Sequence, residues 1–436
     1  MKVDSTITQL VLRKVDEKID DLIDFTKQLI QQKTITDPPS GHEKCGQDVI
    51  SNYLKEMNCL VDVFEPTEIK NLENHEGYWP GWDYADRPNV VGVWKGIGGG
   101  RSIILNGHID VVSPGNPKLW KHDPFGGEID QGRIYGRGAS DMKGPIAGMI
   151  YAVKILQDLG VELKGDIIIE SVVNEELGGY NGSLACILRG YSADLALVTE
   201  PTELRICPGQ KGGQVYRLFV PGFGAHSARW WKGVSAIDMA IFMKEVLGNF
   251  QKIRSEENRN NLFFGDQSLF PIPALVDDIY SFHSGDPEIM GNPTEAEMEF
   301  WFDVLPGEDL EEVLHRFETY LMDSTINHPF LSTHPPRLER SPMRPFYPTS
   351  ISPNFPAIEM IKDGISKVIF SQPVVSGFES ACEAMMFNKW SKTPALIFGP
   401  GNIELAHRPD EYIDMNELVS FVKILALFLI DWCGQS

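Results

Sequence analysis

The stretch SIILNGHIDVV (102–112) places a histidine, His108, two residues ahead of a carboxylate, Asp110. In an extended chain, residues two apart point to the same side. A carboxylate beside an imidazole fixes its tautomer and orientation, as metal ligation requires. A surface or core pair is the plainer use of the same motif. Asp141 stands in GRGASDMKGPIAGM, where a glycine-rich loop enters a helical pattern, a place that also suits an N-cap. Glu175 and Glu176 follow the apolar run DIIIESVVN and lead into a double glycine. Two adjacent carboxylates at a strand end need cations or a shared proton nearby. Glu200 follows the run DLALV, just before a proline, and His407 lies in the loop GPGNIELAHRPDE after PALIF.

Each of these positions is at or just beyond the carboxyl end of an expected strand, or in the loop leading on from it. Open α/β sheets bind their ligands in that crevice. His108, Asp141, Glu176, Glu200 and His407 offer two imidazoles and three carboxylates. If Asp141 bridges two cations, each cation receives three protein ligands, and a shared water supplies a fourth. That count suits a pair of catalytic zinc ions with an open position. Glu175 is then left over beside a ligand, a suitable place for a general base acting on that water. Gly96, Gly98, Gly99 and Gly100 resemble half of a nucleotide-binding fingerprint, but they lead into a strand rather than a helix, so a turn is expected. No GxSxG occurs, which leaves a serine nucleophile without support.

The elements that must hold these residues show in the hydrophobic pattern. Helical stripes cover 15–30, 42–57, 144–159 and 182–188, and short apolar runs cover 89–94, 102–105, 166–173, 194–198 and 394–398. Apolar strands alternating with helices predict an α/β fold, with a mainly parallel sheet covered by helices on both faces. The middle of the chain differs. A strand is expected over 213–220, a helix over 236–250, a strictly alternating strand over 295–304, a helix over 308–322 and a last strand from 336. The alternating strand needs a covering on one face only and could form a sheet edge. This reads as a small α+β domain inserted at 210–340, with 1–209 and 341–436 forming the catalytic, metal-binding domain. The loop 71–88, rich in Trp and Tyr, is a candidate wall for an aromatic or apolar pocket, or a plain surface loop.

Composition narrows the classes of function. Lys and Arg total 39 against 61 Asp and Glu, a net charge of −22, so the cationic footprint of a nucleic-acid binder is missing. The same balance disfavours an anionic membrane surface, and no apolar run reaches 18 residues. The first residues break their apolar positions with charges, unlike a signal peptide. The six cysteines are scattered without a CxxC pair, as expected of a reduced, cytoplasmic protein.

NGHIDVV, WKHDPFGGEIDQGRIYGRGASDMKG, NEELGG, TEPT, FGAHSA and GNIELAHRPDEYI occur in that order over nearly the whole chain. Together they resemble the dinuclear zinc amidohydrolases and peptidases, the family of acetylornithine deacetylase, succinyl-diaminopimelate desuccinylase and aminoacylase. The resemblance implies that His108 and Glu200 bind one metal ion, that Glu176 and His407 bind the other, and that Asp141 bridges them. It implies Zn²⁺, with Co²⁺ as a substitute. Asp110 would orient His108 and Glu175 would deprotonate the bridging water. His226, in FGAHSA, would reach the partner subunit's site and stabilise the oxyanion. The inserted domain would be a ferredoxin-like lid and dimerisation domain, so a homodimer is expected.

The implied reaction is hydrolysis of an amide, removing an acetyl, formyl or succinyl group from a small N-acylated amine or amino acid. A di- or aminopeptidase of the same family is the alternative, and a metal-free binding protein is the non-enzymatic one. Two departures bear on the substrate. Many relatives carry Asp-Ala-Arg late in the chain, where this one has Glu383, Ala384 and Met385. Arg suits a planar carboxylate, so its absence puts that contact in doubt. Many also carry an Asn where Met290 stands here.

Overall fold

In a computed structural model, residues 5–257, 261–264, 276–284 and 291–435 are described; Met290 lies outside them. The strands that organise the chain are, in order, β1 (Leu60–Phe64), β2 (Asn89–Trp94), β3 (Ile103–His108), β4 (Ile167–Val172), β5 (Ala196–Val198), β6 (Gly212–Pro221), β7 (Val276–Ser284), β8 (Glu295–Val304), β9 (Arg337–Arg340) and β10 (Ala395–Ile397). The chain separates into two compact units. One runs to Pro208 and resumes over Ser350–Phe378 and Cys382–Ser436; the other is Gly209–Thr349 with Glu379–Ala381. Residues 341–349 thus join the insert. Paired hydrogen bonds between Gly213 and Phe346, both 2.8 Å, tie them to the start of β6.

The first unit is built on a six-stranded sheet in the order β10-β5-β3-β4-β2-β1. From β10 to β4 the strands are parallel; β2 and β1 run antiparallel at one side. All of β3 and β4 is buried, as strands covered on both faces must be. Successive side chains of a strand point to opposite faces. Gly107 meets the helix Gly144–Asp158: a Cβ there would lie 2.9 Å from Ile146 and 3.0 Å from Met142. The side chain of Asn106 reaches within 3.4 Å of Ser183 in the helix Asn181–Arg189. Helices therefore lie on both faces. The expected helix over 15–30 is two, Ser5–Glu17 and Ile19–Ile30, divided at Lys18, whose ψ of 14° leaves the helical region. The C-terminal helix Met415–Cys433 starts where the Asp414 carboxylate accepts the Asn416 and Glu417 N–H groups. It is buried along most of its length, and helices Gly144–Asp158 and Pro356–Val368 pack on it.

The second unit is an antiparallel sheet in the order β7-β8-β6-β9 with helices Ala236–Glu257 and Leu310–Asp323. The βαββαβ connectivity with this strand order is ferredoxin-like. Tyr216, Leu218, Val220, Ala296, Met298, Phe300, Phe302 and Val304 project from one face of β6 and β8. They pack on Met243, Leu247, Leu314 and Phe317 of the helices. The expectation that 295–304 forms an edge fails. β8 pairs with β6 from Glu295↔Pro221 to Val304↔Gly212 and with β7 on its other side. Its alternation comes from one helix-covered face, and the edges are β7 and β9.

Candidate metal centre

Five chain segments bring the candidate ligands together at the carboxyl end of the sheet. β3 ends on His108, which is fully buried. The His108 ring Nδ1 is 3.0 Å from the main-chain carbonyl of Asp110, so its N–H donates there and Nε2 is left free to bind a cation. β5 leads through Thr199, whose N–H donates to the Asn106 carbonyl (3.0 Å), to Glu200. Asp141 sits in the turn that enters the helix Gly144–Asp158. β4 runs into the turn carrying Glu175 and Glu176, and β10 into the loop carrying His407.

His108, Asp141 and Glu200 each offer a ligand atom within 4.8 Å of the others, and so do Asp141, Glu176 and His407. Asp141 belongs to both groups. Its Oδ1 is 3.1 Å from His108 Nε2 and its Oδ2 is 3.7 Å from His407 Nε2. Glu176 Oε2 is 2.6 Å from His407 Nε2, and Glu200 Oε1 is 3.8 Å from His108 Nε2. Glu175 Oε2 stands 3.7 Å from His108 Nε2 yet belongs to neither group. His407 is exposed, so the cluster opens to solvent on its side.

The electrostatics describe a site made for cations. Burial, with Asp141, Glu383 and Glu176 close by, pushes Glu200 well above the usual carboxylate range against the pull of His108. Burial likewise raises Glu175, reinforced by Glu383, Glu200 and Glu176, and raises Glu176. Burial alone would keep His108 neutral, but Glu175, Asp141 and Glu200 outweigh it and raise its pKa. His407, held by Glu176 against its own desolvation, is raised to about 9. Glu200 Oε1, though buried, has no hydrogen-bond partner among the described residues. Carboxylates crowded out of water with one oxygen unsatisfied fit divalent cations, which neutralise the repulsion and take up the free lone pairs. Mixed imidazole and carboxylate donors are the ligands of zinc.

Several residues at this site were not legible from spacing. The Asp110 carboxylate does not face His108 closely, at 3.7 Å. Instead it accepts the N–H groups of Glu175 and Glu176 (3.0 and 3.1 Å) and the Thr36 hydroxyl (2.8 Å). Asp110 thus meets His108 through its main chain and anchors the Glu175–Glu176 turn through its side chain. Behind Asp141, the buried Glu411 accepts the N–H groups of Ser140 and Asp141 (3.0 and 3.1 Å) and pairs with Arg137 at 2.5 Å. Glu383 forms a third acidic group with Glu175 and Glu200. It is fully buried, neither oxygen has a partner among the described residues, and burial lifts it to about 7. Ala384 and Met385 are also buried, in the helix Ala384–Trp390. His226 belongs to the second unit; it is exposed and its Nδ1 accepts the Ala228 N–H at 3.1 Å. It is in neither ligand group.

The profile of peptidase family M20/M25/M40 matches residues 104–431, a span that includes all five candidate ligands. The chain belongs to this family. Among curated relatives, the N-formyl-4-amino-5-aminomethyl-2-methylpyrimidine deformylase of Bacillus subtilis (strain 168) is 28% identical, with 97% of each chain covered. A probable succinyl-diaminopimelate desuccinylase of Staphylococcus aureus (strain N315) is 27% identical, covering 86% of this chain and 90% of its own. Among solved structures, human carnosine dipeptidase 1 superposes with a TM-score of 0.69 at 16% identity, over 98% of this chain and 99% of that one. A Bacillus subtilis protein described as a dinuclear metal binding peptidase of this family superposes with a TM-score of 0.59 at 16% identity, over 96% and 99%. At such identities the structures establish the family's fold alone. Among the described residues, no helix is long and apolar enough to cross a membrane.

Proposed function

We propose that the protein is a two-metal amide hydrolase that removes a small acyl group (formyl, acetyl or succinyl) from an N-acylated amine. The observation that carries this reading is Asp141 shared by two ligand groups, with Glu175 beside them and in neither. His108 and Glu200 would hold one cation, Glu176 and His407 the other, and Asp141 both. Zn²⁺ suits the donors, with Co²⁺ as a substitute. Once bound, the cations would polarise the amide carbonyl and make water acidic enough to attack near neutral pH. Glu175 takes the proton from the attacking water and returns it to the departing amine, work for which a buried carboxylate of raised pKa is suited. Asp110 holds the backbone of Glu175 and Glu176, and Glu411 with Arg137 holds that of Asp141.

The similarity to the deformylase and the desuccinylase along most of their lengths supports an acylated amine as substrate. The buried Met385 supports one whose recognition uses no arginine at that position. We further propose a homodimer in which the insert acts as lid and His226 completes the neighbouring copy's site, and a cytoplasmic location, in keeping with six cysteines scattered without a CxxC pair. Nucleic acid and membranes are not proposed as partners. The test is a panel of N-formyl, N-acetyl and N-succinyl amines against dipeptides, with Zn²⁺ or Co²⁺ added. Turnover of the acylated amines supports the reading. Hydrolysis of dipeptides alone replaces it with a peptidase, and a protein that takes up no metal and turns over neither class is a binding protein.

A further inference from the structure

Glu175 and Glu176 sit on a turn with an unusual backbone. Asn174 (φ 67°), Gly178 (φ 72°) and Tyr180 (φ 51°) are all left-handed, although only one of them is glycine. Such a turn persists only where its surroundings over-determine it. On the sheet side the Asp110 carboxylate holds the N–H groups of Glu175 and Glu176. Within the turn, Tyr180 N–H donates to the Asn174 carbonyl at 2.7 Å and Gly178 N–H to the Glu175 carbonyl at 2.6 Å.

The other side is held by the loop 71–88. Tyr84, only 1% exposed, donates its hydroxyl to Asn174 Oδ1 at 2.6 Å and accepts from Asn181 Nδ2 at 2.6 Å. The Asn181 amide also pairs with the main chain of Trp79, accepting its N–H at 2.9 Å and donating to its carbonyl at 2.7 Å. The loop is pinned in turn by Arg87, whose buried guanidinium meets both oxygens of Glu43 at 2.8 and 2.5 Å. Gly179 makes room for the arrangement: a Cβ there would fall 1.9 Å from Asn174 Oδ1.

We infer that Tyr84 is a positioning residue for the reaction: with Asn174 and Asn181 it braces the turn that aims Glu175, so the aromatic loop acts as a clamp on the proton-accepting carboxylate. The inference rests on Glu175 having that role. Tyr84 touches neither the candidate ligands nor Glu175 through any of these bonds; it acts through the side chain of Asn174, the residue before Glu175. Misplacing a reacting group by about 1 Å, even from a distance, can cost ~100-fold in rate.

The test is Tyr84→Phe, which keeps the ring and removes the hydroxyl. With an N-acyl amine as substrate, kcat should fall roughly 10- to 100-fold, with KM and bound metal unchanged. In a Glu175→Gln background the same substitution should cost less than about twofold, because groups that act as a unit are not additive. Backbone amides in the segment 174–181 should exchange with solvent about tenfold faster, with exchange elsewhere as in the parent. Should Tyr84→Phe fold poorly, Asn174→Gly keeps the left-handed backbone, removes the acceptor and should reproduce these effects. A kcat within twofold of the parent, an equal loss in both backgrounds, or unchanged exchange over 174–181 would each overturn the brace. If the parent hydrolyses no N-acyl amine, the proposed reaction fails by itself, and the exchange measurement still decides the brace.

Discussion

Replacing Glu411 by Gln preserves the shape of the side chain and removes its charge. In the parent, Glu411 and Arg137 are each 1% exposed and separated by 2.5 Å. Glu411 Oε1 accepts from Ser140 and Asp141, and Oε2 from Arg137. The glutamine carbonyl can keep the two backbone donors, but its NH2 group must then face the guanidinium, donor against donor. Arg137 cannot shed its proton, so a buried cation is left unpaired, and its Nε already has no partner among the described residues. Breaking a buried pair from one side costs about 3–5 kcal/mol. Arg137→Met should cost less, because the stranded Glu411, already lifted by burial to about 7, can take up a proton. The double variant should recover about 2 kcal/mol relative to the sum of the single ones. Urea unfolding in the presence of chelator measures all three. If the amide instead turns its oxygen to Arg137 it gives up the Asp141 N–H, so in either orientation the backbone of Asp141 is held less firmly and Zn²⁺ affinity, measured by competition with a chromophoric chelator, should weaken ~10- to 100-fold. A loss under about 1 kcal/mol for Glu411→Gln, or additive single variants, would refute the reasoning.

Glu175→Gln should lower kcat by ~10²–10⁴ while metal content, measured by atomic emission, stays at the parent's value; loss of metal would exchange the roles of Glu175 and Glu176. Metal-free protein should melt at lower temperature as pH rises from 5 to 9. Burial raises Glu170 from 4.5 to about 8 and Glu383 to about 7, and Glu176 helps raise His407 from 6.5 to about 9. All three bind a proton more tightly folded than unfolded, so that stabilisation is complete below pH 4.5 and lost through 7–9. A flat or rising profile of thermal midpoints in chelator would contradict this, as would a Zn²⁺-induced increase that does not grow with pH. Mixing inactive His226→Ala and Glu175→Ala proteins should restore partial activity after subunit exchange, since one site of a mixed dimer carries neither change; no recovery would place His226 outside the neighbour's site.

Elements whose character is set by local pattern were legible. The runs over 89–94 and 295–304 coincide with β2 and β8, because continuous burial and strict alternation each leave an unambiguous trace. Strand direction left none, so the antiparallel β1–β2 side of an otherwise parallel sheet was not foreseen. β1 is half-exposed at that side and reads as no regular pattern. Five candidate ligands could be named because each stands at a strand end or in a loop or turn leading on from one, where position carries meaning. The residues that hold them could not. Arg137 and Glu411 are 274 positions apart, Tyr84 and Asn174 are 90, and Glu383 lies far from both Glu175 and Glu200. Such pairings follow from the finished packing, and nothing in the chain near either partner announces them. The loop 71–88 shows the point from the other side. Its aromatic content suggested a pocket wall, yet its buried tyrosine faces Asn174 and Asn181.

The larger unit is completed by segments that follow the insert, and this sets an order of events during synthesis. His108, Asp141 and Glu200 leave the ribosome before the insert is made, whereas β10, His407 and the helix Met415–Cys433 emerge after it. At ~5–20 residues per second, the roughly 200 residues between Glu200 and His407 take ~10–40 s. Through that interval the nascent chain carries an acidic cluster with one imidazole, a sheet lacking β10, and exposed surface on the helix Gly144–Asp158 where the helix Met415–Cys433 will pack. A chain cut short before β10 therefore lacks a candidate metal ligand and a wall of its core together. Unfinished copies should be targets for chaperones and proteases rather than half-competent enzymes that sequester metal.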